Sequence, residues 1–75
     1  MTLDEFVKAF AGEFDDTPVE EFAPITVFKE LDEWSSLTAL SIIAMVDEQL
    51  DKRISGADIR SNNTIEDLFH AVNAK

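Results

Sequence analysis

The segment from Asp32 to Leu50 restricts the possible folds more than any other part of the chain. From Leu37 onward it is rich in apolar residues and contains neither glycine nor proline. Apolar residues at this helical spacing predict one long helix that needs other helices to cover it. Two serines come directly before it. We expect Ser35 to be the N-cap, because its side-chain oxygen can accept a hydrogen bond from a free N–H of the first turn. Ser36 is then the first helical residue.

The helical wheel of this segment predicts a core face and a solvent face. The core face is expected to consist of Ala39, Ile42, Ile43, Val46 and Leu50. The opposite face is expected to consist of Leu37, Ser41, Ala44 and Glu48, with Met45 and Thr38 beside them. Leu37 and Met45 would then be exposed apolar side chains near Asp47 and Glu48, which indicates a small docking surface. The alternative is an ordinary helix with two exposed apolar residues, since folded surfaces are largely apolar.

Three further segments carry helix signals. Thr2 and Glu5 have capping-box spacing at the start of a helix over residues 2–14. Its apolar stripe is predicted to be Leu3, Phe6, Val7, Phe10 and Phe14. Ser55 begins a predicted short helix, with Ile54 and Ile59 pointing inward. Asn63 or Thr64 begins the last helix, whose apolar stripe is predicted to be Ile65, Leu68, Phe69 and Val72. The sequence therefore predicts an all-α fold, a small, mostly antiparallel four-helix bundle of three longer helices and one short one, with residues 1–75 as a single domain.

A long connection, from Asp15 to Trp34, precedes the apolar helix. Thr17 is predicted to be the N-cap of a single helical turn that has Pro18 at its first position. Ile25, Phe28 and Leu31 recur every third residue and are predicted to hold the connection against the bundle, and Trp34 to be a partly buried plug.

Composition and charge exclude several classes of protein. The chain has no cysteine, so it can form neither a disulfide nor a thiolate metal site. No apolar run reaches the roughly 18 residues of a membrane span, and the N-terminus lacks a signal-peptide layout. We therefore expect a cytoplasmic protein without membrane insertion. Sixteen acidic residues against six basic ones give a formal net charge of −10. This charge disfavours nucleic acid and favours partners with basic patches.

Candidate catalytic and metal-binding residues are few. His70 is the only histidine, and the acidic pairs lack the loop spacing of an EF-hand. Ser36 as a nucleophile would need a base and an oxyanion hole, and no glycine follows it as in a nucleophile elbow. We therefore predict that the chain is not an enzyme and binds no metal. Ser36 is better suited to be modified by another enzyme.

Ser36-Leu37 at a helix start, preceded by Phe28-x-x-Leu31 and followed by Asp47-Glu48, resembles the acyl carrier proteins. In that family an Asp-Ser-Leu motif opens the second helix of a four-helix bundle. The serine carries a 4′-phosphopantetheine arm from coenzyme A, whose thiol holds acyl groups as thioesters. The resemblance covers essentially the whole chain. Ser35 stands where the family has its aspartate, and Trp34 directly precedes the serine pair.

The resemblance implies a discrete acyl carrier protein of fatty acid, lipid or related biosynthesis, with the arm attached to Ser36. It implies a recognition helix formed by Leu37, Ser41, Ala44, Met45, Asp47 and Glu48. The implied partners are a phosphopantetheinyl transferase and acyl-processing enzymes with basic docking patches, and the implied state is a monomer. The apolar interior between this helix and residues 54–59 would shelter an acyl chain.

Two alternatives remain open at this point. One is an aminoacyl or peptidyl carrier, such as a D-alanyl carrier. The other is an acidic helical interaction module that has no prosthetic group.

Overall fold

The computed structural model describes residues 1–75 and contains four α-helices and no strand longer than a single bridge. The helices are α1 (Leu3–Ala11), α2 (Ser36–Leu50), α3 (Gly56–Ser61) and α4 (Ile65–Asn73). Two 3₁₀ turns, Val19–Glu21 and Phe28–Glu30, lie in the connection between α1 and α2. The packing of α1 and α3 against both α2 and α4 confirms a small helical bundle. None of the helices has the length and apolar character that crossing a membrane requires.

The predicted helix starts are confirmed. Three helices begin with capping boxes, in which the N-cap side chain accepts from the N3 backbone and the N3 carboxylate accepts from the N-cap backbone. The pairs are Thr2 with Glu5, Ser55 with Asp58, and Thr64 with Asp67. The short side chains at these positions therefore satisfy N–H groups that would otherwise have no partner.

Helix α1 ends earlier than predicted, at Ala11 instead of Phe14. Gly12 follows as the C-cap, and glycine has a low helix propensity. The next two N–H groups donate to carbonyls three residues back, from Glu13 to Phe10 and from Phe14 to Ala11. This tighter winding keeps Phe14 on the buried side, so its predicted place in the core is confirmed.

The core consists of sixteen buried residues, all apolar, with Phe10 in a cluster of aromatic rings. The ring centroids of Phe28 and Trp34 lie 5.4 Å and 6.5 Å from that of Phe10. Phe14 and Phe22 complete the cluster, at 5.6 Å and 6.3 Å from Phe10. Trp34 is half-buried against these rings, as predicted. The cluster attaches the connection between α1 and α2 to the bundle.

The predicted anchoring role of Ile25 is wrong, because its side chain is 78% exposed. The N–H of Thr26 donates to the carbonyl of Ala23, which makes Pro24 and Ile25 the corner of a four-residue turn. Phe28, by contrast, is fully buried and Leu31 is half-buried, as predicted.

The same turn caps the start of α4. The carbonyl of Thr26 accepts from the N–H of Ile65 at 3.2 Å, and the carbonyl of Pro24 accepts from the N–H of Glu66 at 3.0 Å. A single antiparallel bridge between Val27 and Thr64 lies beside them. The connection therefore pairs two N–H groups of the first turn of α4, which have no partner within that helix.

The predicted exposure of Met45 is also wrong. Met45 is 2% exposed and packs in the core with Ile42 and Val46, whereas Leu40 is 61% exposed. Helix α2 carries apolar residues around most of its circumference, so its wheel alone does not determine which arc is buried. Packing against α1 and α3 turns the Met45 side inward.

Truncating Met45 and Leu40 separately should distinguish these two positions. We expect Met45→Ala to lower the free energy of unfolding by about 2–5 kcal/mol, because it removes buried contacts. Leu40→Ala should change it by no more than about 0.5 kcal/mol. Urea denaturation followed by circular dichroism measures both values. Equal losses in the two variants would contradict this orientation of α2.

Candidate functional site

The two adjacent serines have different environments, as predicted. Ser35 is the N-cap of α2, and its Oγ accepts from the backbone N–H of Thr38 at 3.4 Å. The hydroxyl of Thr38 also lies 3.2 Å from this oxygen and donates to the carbonyl of Glu33 at 3.0 Å. Ser36 is the first residue of α2 and is exposed, and its hydroxyl takes part in none of these bonds. One serine therefore fixes the helix start and the other presents a free hydroxyl.

The carboxylate of Glu33 closes the connection that leads to the serines. Its Oε2 accepts from the N–H of Asp15 at 2.8 Å, and its Oε1 accepts from the N–H of Asp16 at 3.0 Å. Oε1 also accepts from the N–H and the hydroxyl of Thr17, at 2.9 Å and 2.7 Å. The Thr17 hydroxyl, followed by these N–H groups, lowers the pKa of Glu33 because the bonds favour the ionised form.

The prediction that Thr17 is an N-cap is therefore wrong. Pro18 occupies that position before the first 3₁₀ turn, without a side-chain cap. The hydroxyl of Thr17 is bound to Glu33 instead. No sequence signal identified this pair, since sixteen positions separate the two residues.

A cleft of about 380 Å³ lies beside Ser36, and we name it the serine cleft. It is lined by both serines, by Gly56, Ile59 and Arg60 of α3, and by Lys29, Trp34 and Ala39. Ala39 and Ile59 belong to the region predicted to shelter an acyl chain. The cleft thus brings apolar and cationic side chains next to the exposed hydroxyl.

A second cleft, of about 430 Å³, has the opposite charge. Its lining includes five carboxylates, Asp16, Glu21, Glu30, Asp32 and Glu33. No group of three or more histidine, cysteine, aspartate or glutamate side chains has an arrangement that could hold a metal ion. These acids give this cleft a negative charge.

The exposed side of α2 presents a continuous apolar strip, which we name the α2 outer face. Leu37 and Leu40 are 76% and 61% exposed. With Ala44 they follow the spacing of three and four residues that places side chains together on a helix. The sequence analysis missed Leu40, although its spacing from Leu37 and Ala44 could have identified it.

The other predicted recognition residues differ in accessibility. Asp47 and Glu48 are exposed beside the α2 outer face. Ser41 is half-buried, and its hydroxyl donates to the carbonyl of Leu37 at 3.2 Å. Met45 is buried and does not belong to this surface. The face therefore combines Leu37, Leu40 and Ala44 with two acids.

His70 lies on the exposed side of α4. Its Nε2 is 3.6 Å from the carboxylate of Glu66 on the same helix, and no hydrogen bond joins it to Ser36. The chain's one histidine therefore lies near Glu66 and forms no hydrogen bond with the Ser36 hydroxyl.

Comparison of the chain with protein-family models, with curated proteins and with solved structures finds no match. Its function has to be inferred from its own residues.

Glu33→Gln should lower the thermal midpoint more than Glu20→Gln does at neutral pH. Both variants remove one negative charge, but Glu20 is exposed and makes no side-chain hydrogen bond. Because the folded pKa of Glu33 is lowered, its ionised form stabilises the fold above the ordinary glutamate pKa, about 4.3. That contribution is lost as the pH falls through the lower folded value.

The difference between the two variants should therefore shrink as the pH falls from 7 to 3. Calorimetry across this range measures the difference. Glu5 and Asp58, whose pKa values are lowered by the backbone N–H groups of Thr2 and Ser55, are present in both variants and do not affect the comparison. A difference that stays constant with pH would show that the Glu33 carboxylate does not act through its ionised form.

Proposed function

We propose that the chain is a cytoplasmic acyl carrier protein, monomeric and not itself an enzyme, that is modified at Ser36 with 4′-phosphopantetheine. The observation that carries this proposal is the division of roles between the two serines. Ser35 is occupied as the N-cap of α2, while the Ser36 hydroxyl is exposed and unbonded at a backbone position that the helix fixes. A modifying enzyme needs such a rigidly placed and accessible hydroxyl.

The surroundings of Ser36 suit a phosphodiester. The residue lies at the N-terminus of a helix of fifteen residues, where free N–H groups and the helix dipole favour a negative charge. In the modification, Ser36 Oγ would attack the pantetheine-side phosphorus of coenzyme A. The Oγ–P bond forms, the P–O bond to adenosine 3′,5′-bisphosphate breaks, and the hydroxyl proton passes to a base of the transferase.

The attached arm would supply a thiol that holds acyl groups as thioesters, a group that this cysteine-free chain lacks. The residues of the chain would hold and present the arm. Ser36 provides the attachment point, and Trp34, Ala39 and Ile59 provide apolar surface in the adjoining serine cleft.

The α2 outer face is proposed as the docking surface for the transferase and for acyl-processing enzymes. Leu37 and Leu40 provide exposed apolar area directly after Ser36. Asp47 and Glu48 lie in the last turn of α2, which contains no basic residue. Negative charge there opposes the helix dipole, so these acids are not placed for helix stability. Attraction of a basic partner patch accounts for them better.

Intact-mass analysis after incubation with coenzyme A and a promiscuous phosphopantetheinyl transferase tests the modification. The wild type and Ser35→Ala should gain one arm, and Ser36→Ala should gain none while remaining folded. Ser35→Ala should lose about 1 kcal/mol of stability with the cap. Attachment to Ser36→Ala but not to Ser35→Ala would show that the arm is attached to Ser35. Absence of attachment to the wild type would favour the non-carrier interaction module.

Charge reversal tests the docking surface. Asp47→Lys with Glu48→Lys should lower kcat/KM of the transferase by about tenfold at low salt, because steering toward a basic patch is lost. Stability should change by no more than about 0.5 kcal/mol.

The matched control is Glu20→Lys with Glu21→Lys, an exposed acidic pair in the first 3₁₀ turn. It produces the same net charge and should leave kcat/KM nearly unchanged. If both double variants lower kcat/KM equally, only the net charge matters and the α2 outer face is not the docking surface.

A further inference from the structure

The serine cleft has an unusual charge for this chain. Two of the six basic residues, Lys29 and Arg60, line it, and none of the sixteen acidic residues does. Neither cation has a carboxylate within 4.0 Å, since the side chains that approach a carboxylate this closely are His70, next to Glu66, and Lys75, next to Asp58. Two positive charges without a carboxylate partner therefore line the same cleft as Ser36.

Lys29 is held in place by a hydrogen bond to the fold. The ammonium of Lys29 donates to the backbone carbonyl of Arg60 at 2.7 Å, which connects the second 3₁₀ turn to α3. An ammonium has three donors, so two remain free after this bond. The bond places the charge of Lys29 next to α3 and keeps it from extending into solvent.

The guanidinium of Arg60 folds back along α3. Its Nη1 lies 3.2 Å from the position that a Cβ atom on Gly56 would occupy. A Cβ atom at position 56 would require the guanidinium to move by a few tenths of an ångström, so the glycine leaves room for the position that it occupies. No intramolecular hydrogen bond or ion pair occupies its N–H groups, so all of its donors are available to a ligand.

We infer that Lys29 and Arg60 form a phosphate-binding pair that holds the phosphodiester of an arm attached to Ser36. The inference rests on the proposed function. A guanidinium and an ammonium form charge-assisted hydrogen bonds with phosphate oxygens, which are among the stronger polar contacts in proteins. A diester on a chain of net charge −10 is repelled by most of the surface, and this pair offsets that repulsion at the attachment point.

The rest of the cleft fits the uncharged part of the arm next to the phosphate. Trp34, Ala39 and Ile59 present apolar surface there. The first segment of the arm would therefore lie along the serine cleft, with its phosphate fixed by two charges. Increasing salt should loosen this contact, since the Debye length falls from about 10 Å at 0.1 M to about 3 Å at 1 M.

Phosphorus NMR of the modified protein tests the inference. In the wild type, the diester resonance should differ in chemical shift from that of the urea-unfolded protein, and 1 M NaCl should move it toward the unfolded value. In Lys29→Gln with Arg60→Gln, the resonance should lie near the unfolded value and respond little to salt. Lys8→Gln with Arg53→Gln is the matched control, because it removes one exposed lysine and one exposed arginine outside the cleft. Its resonance should match the wild type.

Two single variants control for the possibility that the double variant loses its fold. Arg60→Gln removes no intramolecular side-chain bond and should give part of the shift. Gly56→Ala keeps the charge and requires the guanidinium to move by only a few tenths of an ångström, so its resonance should stay close to that of the wild type.

A wild type that gains no arm in the mass spectrum overturns the proposed function and this inference with it. If the wild type gains the arm but every cleft variant has the same phosphorus resonance as the wild type, only the phosphate-binding pair is overturned.

Discussion

The carboxylate of Glu33 closes the connection between α1 and α2, which has no long helix or strand to order it. It accepts hydrogen bonds from three successive backbone N–H groups, of Asp15, Asp16 and Thr17, and from the Thr17 hydroxyl. The backbone carbonyl of the same residue accepts from Thr38 in the first turn of α2. One residue thereby joins the beginning of the connection to the helix that follows it. Trp34, the next residue, stacks on the ring of Phe10, so a polar closure and an aromatic contact fix the approach to the serines together.

The charges of the chain are separated in space. Five carboxylates line the acidic cleft, and two more lie beside the apolar strip of the α2 outer face, while the only charged residues that line the serine cleft are cations. Under the proposed function, this separation gives each surface one task. Acids on α2 attract a basic partner enzyme, and the cations near Ser36 receive the negative charge that modification adds. A uniformly acidic surface could attract a basic partner enzyme but would repel the negative charge that modification adds.

Local signals in the sequence were sufficient for the helix starts and for the stripe of α4. Capping boxes join residues three positions apart, and a narrow stripe on a short helix leaves one possible buried side. The wheel failed for α2, where it placed Met45 outside and did not identify Leu40 as exposed, because apolar residues surround most of that helix. The recurrence of apolar residues at every third position failed for Ile25, which the turn at Pro24 directs outward. The bonds of Glu33 and the meeting of Lys29 with Arg60 join residues distant in the chain, so neither periodicity nor spacing could predict them.

The turn at Pro24 and Thr26 joins the connection between α1 and α2 to the start of α4 through two backbone hydrogen bonds. The amide protons of Ile65 and Glu66 are bonded to carbonyls of that turn, so they exchange with solvent only when α4 and the turn separate. Lifting the turn also strains the contacts of Phe28 and Trp34 that lie further along the same connection. Opening of the final helix at its N-terminal end therefore also separates it from that turn.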